Sequence, residues 1–360
     1  MPLVNWIAML LPEDDYPVHQ TVAPLAVTMN GHPNAYDRFF FNGVHEEYYF
    51  ALALGLYPNR GVIDAAFSVL QNGRQHSVFT SDALAGRVTQ VGPITIEIVE
   101  PMRVNRILVN APEQGLRAEL LYTQATATIE EPRQTMHDGP RIFMDVTRAT
   151  QLGTWTGWIE SPEGRIDLDG TTGGTKDRSW GIRPVGEPLP GAPSTRVPQL
   201  CFFWAPLLTP AGGRHVMSFQ DAQGRHLHHS GGMLPLVGTG EAMPVDGELA
   251  FTWRPGTRWM ERGSMTSGAE TYELEPIARF HMRGVGYGHP VYGHGKWHGG
   301  PVTAGESLIV ADLDSLDYPN IHVQHIVGVS GSKVGLGVVE QLVIGPYAPA
   351  GLTGLLDGVS

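Results

Sequence analysis

The stretch that decides the fold is residues 48–80, YYFALALGLYPNRGVIDAAFSVLQNGRQHSVFT. Residues 48–56, 62–71 and 76–80 are strand-sized runs rich in aromatic and β-branched side chains, which suit a pleated, half-buried surface. Between them stand Pro58-Asn59-Arg60-Gly61 and Gln71-Asn72-Gly73-Arg74. Asn-Gly is the strongest two-residue hairpin signal, because both central positions of that turn need positive φ. Three successive strands joined by such turns make an antiparallel meander.

The same rhythm extends outward. Strand-sized runs recur at 94–99, 106–109, 116–123 and 126–130, and again at 200–208, 215–221, 226–229, 248–253, 259–265, 270–282, 307–313, 321–329 and 335–344. Helical period is weak throughout, and residues 141–152 are the one stretch read as a helix. A faint repeat aligns 50–76 with 203–226 and 96–103 with 251–258, in the same order. The expected fold class is therefore all-β, two tandem antiparallel β-barrels, and a barrel of eight to ten strands would enclose a ligand cavity.

With 360 residues, 42% of them hydrophobic, the chain can fill two cores. We expect a strap over 1–35, domains over 36–185 and 186–347, and a covering tail over 348–360. The formal net charge of -12, with no block of Lys and Arg, argues against nucleic acid or an anionic membrane surface as the partner. Cys201 is the only cysteine, which excludes an intrachain disulfide. No run is long enough for a transmembrane segment, and the apolar residues 6–11 carry no basic flank, so the expected location is cytoplasmic. A homodimer is compatible with such a chain.

Chemistry concentrates in two places. The first is Gly173-Gly174-Thr175-Lys176-Asp177-Arg178-Ser179-Trp180-Gly181-Ile182-Arg183-Pro184, where an acid, two arginines and a tryptophan sit between glycines. In an extended strand Asp177 and Arg178 point to opposite faces, so Asp177 can face a cavity without touching Arg178. The bland alternative is a buried ion pair of Asp177 with Arg178 or Arg183. The second place is residues 279–298, which contain His281, His289, His294 and His298 among many glycines. A glycine-bent strand there would let Tyr287, His289 and His294 line a pocket as hydrogen-bond donors or as acid and base. The absence of cysteine pairs, H-E-x-x-H and nearby carboxylates argues against a metal site. Glu340 interrupts an apolar strand and needs a partner, either a histidine or Arg178 or Arg183.

Several of these segments carry a resemblance. Gly173 to Gly181 resembles the central motif of the AttH-like and carotenoid 1,2-hydratase (hydroxyneurosporene synthase) superfamily, with Arg178 where that motif has a histidine and Thr175 where the hydratases have a tyrosine. Tyr57-Pro58-Asn59-Arg60-Gly61, Gly286-Tyr287-Gly288-His289-Pro290, Gly293-His294-Gly295-Lys296-Trp297, Gly337-Val338-Val339-Glu340-Gln341 and Gly345-Pro346 are similar to its uncharacterised two-domain branch. The resemblance covers roughly residues 12–350. It implies two lipocalin-like β-barrels and a hydrophobic, often isoprenoid, ligand; the role of alkene-protonating acid falls by position on Asp177.

To hold a proton near neutral pH, Asp177 needs a pKa raised by desolvation. Aromatic faces stabilise carbocations, so Trp155, Trp158, Trp180, Trp204 and Trp297 are candidate substrate-binding residues, with barrel core as their alternative role. The expectation is a cofactor-independent enzyme acting on a hydrophobic terpenoid, steroid or polyketide-like small molecule by hydration, dehydration, isomerisation or cyclisation. Asp177 would be the general acid, with Tyr287, His289 and His294 assisting. The alternative is a non-catalytic binding protein that sequesters a hydrophobic ligand.

Overall fold

Asn72 and Gly73 adopt φ of +51° and +72°, and the hairpin they close runs in unbroken register from Val62↔Ala83 to Gln71↔Arg74. The computed structural model describes residues 15–17, 31–192, 198–331 and 335–360. Most of the expected strap over 1–35 lies outside the described residues.

The first half contains β1 (Ala35–Val44), β2 (Tyr48–Tyr57), β3 (Val62–Gln71), β4 (Arg74–Ala83), β5 (Gln90–Val91), β6 (Ile94–Glu100), β7 (Val104–Ala111), β8 (Leu116–Gln124), β9 (Ile129–Asp138), β10 (Arg141–Ser161) and β11 (Gly164–Ile182). The second contains β12 (Leu200–Thr209), β13 (Gly212–Gln220), β14 (His226–Leu234), β15 (Met243–Pro244), β16 (Gly247–Trp253), β17 (Met260–Ser267), β18 (Glu270–His281), β19 (Val302–Ile309), β20 (Val323–Gly331) and β21 (Gly335–Ile344). They form a 12-stranded sheet in the order β19-β4-β3-β2-β1-β11-β10-β8-β7-β6-β5, with β9 on β10, and a 9-stranded sheet in the order β15-β14-β13-β12-β21-β20-β18-β17-β16. All pairings are antiparallel. One strand crosses the chain's midpoint: β19 pairs with β4 at the edge of the first sheet.

The expected helix over 141–152 is instead the first half of β10. Its pairing with β9 shifts register between Ile142 and Met144 and again between Val146 and Arg148. Each irregularity breaks the strict alternation of faces, so the apolar residues fall at spacings that imitate a helical stripe.

Each sheet curls around its own core. Phe39, Phe41, Phe50, Leu52, Tyr122 and Trp155 fill the inside of the first. Leu207, Val216, Met265 and Tyr272 fill one part of the second, and Phe203, Val343, Tyr347 and Leu352 another. The tail over 348–360 closes that end, held by buried Arg258, whose guanidinium donates to the carbonyls of Val343, Gly345, Gly354 and Asp357. The outer face of β1 and β2 carries Phe40, Tyr49 and Ala51 onto Trp204, Met217 and Phe280 of the second sheet. Both inner faces are thus occupied by side chains. The large cavity lies between the sheets, a cleft of about 1230 Å3. Among the described residues no helix is long and apolar enough to cross a membrane.

Candidate active site

Directly opposed residues of an antiparallel sheet share a face. Asp177 on β11 is opposite Phe40 on β1 and Thr150 on β10, and Ser179 is opposite Arg38 and Arg148. Three strands therefore present Arg38, Phe40, Asp177, Ser179 and Arg148 on one wall of the cleft. The alternate residues turn inward. Arg178 pairs with Asp37 at 2.8 Å, with its guanidinium 3.8 Å from the Phe39 ring centroid. Lys176 pairs with Asp15, and its ammonium donates to Asn105 Oδ1 at 2.8 Å. Burial lowers Lys176 to about 8, against the pull of Asp15.

Asp177 Oδ2 lies 3.7 Å from Arg148 Nε, while Oδ1 is buried without a hydrogen-bond partner. Burial raises its carboxyl to about 6; Arg148 and Arg38 pull it down, and the carboxylates of Glu131 and Glu340 push it up. Arg148 is shared, since Nη1 also donates to Glu131 Oε2 at 3.1 Å. Glu131 Oε1 is 3.1 Å from His215 Nε2 and accepts from the Thr150 hydroxyl at 3.1 Å. Burial alone would raise Glu131, but Arg148 and His215 outweigh it and hold it at about 2. With its charge divided between two carboxylates, Arg148 leaves Asp177 able to take up a proton.

The second sheet supplies the opposite wall. Trp204 is paired with Glu340, and Glu340 with Gln324, across β12, β21 and β20. Glu340 resolves its expected need for a partner with a histidine: Oε1 lies 2.7 Å from His322 Nε2, and Oε2 accepts from Gln324 Nε2 at 2.5 Å. Among the described residues neither Arg178 nor Arg183 forms an ion pair with it. Gln324 Oε1 in turn accepts from the Tyr49 hydroxyl.

Residues 286–298 are not the expected bent strand. Val285 ends a short 3-10 turn, and Gly286, Gly288 and Gly295 take φ of +91°, +62° and +69°, outside regular strand geometry. Strand parity therefore does not apply, and Tyr287 and His289 part company. The Tyr287 ring lies under the Arg38 guanidinium at 4.5 Å and meets the rings of His294 at 4.6 Å and His322 at 4.8 Å. His289 also lines the cleft and is 6% exposed, but its ring is engaged away from Tyr287. Its Nδ1 accepts the backbone N–H of Tyr292 at 2.8 Å, and its Nε2 points to Glu306, 3.6 Å away.

His294 is enclosed. Its Nε2 lies 2.8 Å from both the Val285 carbonyl and Arg38 Nη2, and its Nδ1 lies 2.8 Å from Arg38 Nη1 and 3.2 Å from Arg183 Nη2. Burial, then Arg38 and Arg183, hold its pKa well below the ordinary value, so the ring is neutral and unsuited to donate a catalytic proton at pH 7.

The whole of this architecture has counterparts. A model of a family of unknown function, DUF8625, matches residues 10–353. The chain belongs to that family. No curated protein matches it in sequence. Among solved structures, an AttH-like protein of Nitrosomonas europaea is similar at 11% identity and a TM-score of 0.58, covering 95% of this chain and 98% of that one. Kievitone hydratase from Nectria haematococca is similar at 11% identity and a TM-score of 0.53, covering 94% of each chain. The DUF8625 chain thus has the AttH-like, lipocalin-like fold that its motifs resemble.

Of the five tryptophans expected at the ligand, this DUF8625 protein brings one to the cleft, Trp204. Trp155 is in the first core, donating to the Asn42 carbonyl at 2.8 Å. Trp158 carries Arg165 over its ring at 4.8 Å on the outside of the first sheet, Trp180 shares the parity of Lys176 and Arg178, and Trp297 is 52% exposed. Nearness to Asp177 in sequence does not carry across alternating faces. Arg38 and Arg148 were not singled out, because arginine on a strand ordinarily faces water. A signal existed for Arg38, which sits among Tyr36, Phe39, Phe40 and Phe41 in a strand whose ten positions are all buried. Among the described residues no three His, Cys, Asp or Glu stand together as a metal site.

Proposed function

We propose that this DUF8625 protein is a cofactor-independent enzyme that binds a small hydrophobic molecule in the cleft between its sheets and uses Asp177 as general acid. The observation that carries this reading is the free Oδ1 of Asp177 in a cleft with aromatic walls, on a carboxyl raised to about 6. A carboxylic acid there transfers its proton to an alkene carbon, and the π electrons form the new C–H bond. The cation that results is faced by Phe40 and Trp204, whose rings stand 6.3 Å apart. It is quenched by water, which returns a proton to the carboxylate, or by loss of a neighbouring proton. The first route is hydration, the second isomerisation. His322, oriented by Glu340, is the group on the facing wall suited to receive that proton. His294 and Tyr287 act by position, holding Arg38 and Arg183 at the cleft. Similarity of fold to kievitone hydratase supports a hydratase-type reaction as the first to assay.

The contact of Asp177 with Arg148 favours a second reading, a binding protein in which the pair clamps the wall. Identification by mass spectrometry of small molecules retained through purification, followed by their turnover with wild type and Asp177→Asn, separates the two. Loss of turnover with ligand still bound supports the acid role, and unchanged turnover ends it. Activity should fall as pH rises through about 6, where the acid loses its proton.

A further inference from the structure

We propose that Arg38 and Arg183 form a subsite for a carboxylate, so that the molecule held in the cleft is an amphipathic acid rather than a neutral hydrocarbon. The proposal rests on the reading of the cleft as the ligand site and adds a charge to the ligand.

The charged side chains of the cleft wall divide unevenly. Arg148 has Glu131 and Asp177, Arg141 has Asp138 at 3.6 Å, Lys296 has Glu187 at 3.8 Å, and Glu340 has His322. Arg38 and Arg183 remain, and among the described residues neither has a carboxylate within ion-pair distance. Arg38 is 1% exposed. A buried guanidinium without a counter-ion is unfavourable, and the half-buried Arg183 stands beside it.

Their convergence is direct. Both reach the same atom, His294 Nδ1, at 2.8 and 3.2 Å. A neutral imidazole offers one lone pair in its plane, whichever nitrogen carries the proton, too few acceptors for two guanidinium groups that reach the ring through three nitrogens. Both guanidinium groups also lie over the Tyr287 ring, at 4.5 and 5.5 Å, and Arg183 lies over Tyr36 at 4.7 Å. The Tyr287 hydroxyl takes a hydrogen bond from Arg183, and the ring faces hold both cations in place. The Nε–H of each arginine is buried and, among the described residues, has no acceptor. Asp64 feels both guanidinium groups, but its carboxylate is already engaged by the Gly295 N–H at 2.6 Å and the Tyr57 hydroxyl at 3.1 Å. One negative charge behind two positive ones leaves the pair a net cation facing the cleft. A carboxylate supplies what is missing, two acceptor oxygens in a plane that matches a guanidinium fork and one negative charge.

The test is calorimetric binding of octanoate and of its neutral isostere octanamide to the full chain at pH 8. Wild type is expected to bind octanoate about tenfold or more tightly than octanamide, and the margin should collapse in Arg183→Gln and Arg38→Gln. Arg183 is the less buried of the two, so its variant serves if Arg38→Gln does not fold, as judged by circular dichroism. Equal binding of the two probes by wild type, or binding of neither at millimolar concentration, overturns the subsite. So does a preference that survives in folded Arg183→Gln. The same pair of probes on Asp177→Asn keeps the two readings apart: the preference should persist there, because it does not use the acid. Loss of the margin in wild type sinks the subsite alone, whereas normal turnover by Asp177→Asn sinks the acid alone.

Discussion

Asp177 and Arg178 are adjacent in sequence and look in opposite directions from β11. The carboxylate faces the cleft with Oδ1 unpartnered, and the guanidinium lies inside the first sheet, paired with Asp37. A motif that reads as one charge cluster is two devices back to back, one set in the wall of the cleft and one holding the sheet.

The first device should show in the pH dependence of stability. Asp177 goes from 3.8 to about 6, so the folded chain binds its proton more tightly than the unfolded chain does. Stability from this group falls as pH rises from about 4 to 6 and is level above that. Asp177→Asn removes the cost of the buried charge, and at pH 8 the variant should equal or exceed wild type by up to about 3 kcal/mol. Asp64, also raised to about 6 by burial, keeps part of the slope in the variant. Urea titrations from pH 4 to 8 measure this, and a variant clearly less stable at pH 8 would mean that the carboxylate is a clamp.

The second device should behave in the reverse way. Arg178→Met leaves Asp37 facing a buried position without its cation, and a broken buried pair typically costs about 3 to 5 kcal/mol. The denaturation midpoint should drop accordingly while octanoate affinity, measured below the transition, stays within about twofold.

Glu131 governs the acid limb. Held at about 2 against an ordinary 4.5, it stabilises the folded state above about pH 4.5 and loses that contribution as pH falls toward 2. Glu131→Gln should cost about 3 kcal/mol at neutral pH and give a shallower acid transition followed by circular dichroism. An unchanged acid transition would exclude the network of Arg148 and His215 as its cause.

Gly286 is a lever on the arginine pair. Its φ is +91°, and a Cβ built there would stand 2.7 Å from two atoms of the His294 ring. Gly286→Ala should lose roughly 1 to 3 kcal/mol of stability and displace His294, so that any preference for octanoate over octanamide weakens. Retention of both stability and preference would show that the loop tolerates the shift.

The strands were legible because their signals are local. An Asn-Gly pair, an αL glycine after Pro-x-x, and runs of β-branched and aromatic residues each act within a few positions, and β2 to β4 fall where those signals put them. Asp177 facing away from Arg178 follows from strand parity alone. What failed were inferences that carried parity or proximity across an irregularity. Residues 141–152 lose their alternation at two bulges, and residues 286–298 lose it at glycines with positive φ. The arginines of the cleft were illegible for another reason. Arg38, Arg148 and Arg183 come from three segments, and only the sheet order places them on one wall. The cleft itself is a property of two sheets meeting, which no single segment announces.

The crossing of β19 to β4 has a consequence for how the protein is made. Val302 to Ile309 completes the edge of a sheet whose other strands all end by Ile182, so well over a hundred residues must be synthesised before that edge is sealed. During that interval the nascent first sheet offers the open hydrogen-bonding rim of β4 to any neighbouring strand, on the ribosome or on another chain. Yield in a host cell is therefore expected to respond to the pace of translation and to holding chaperones.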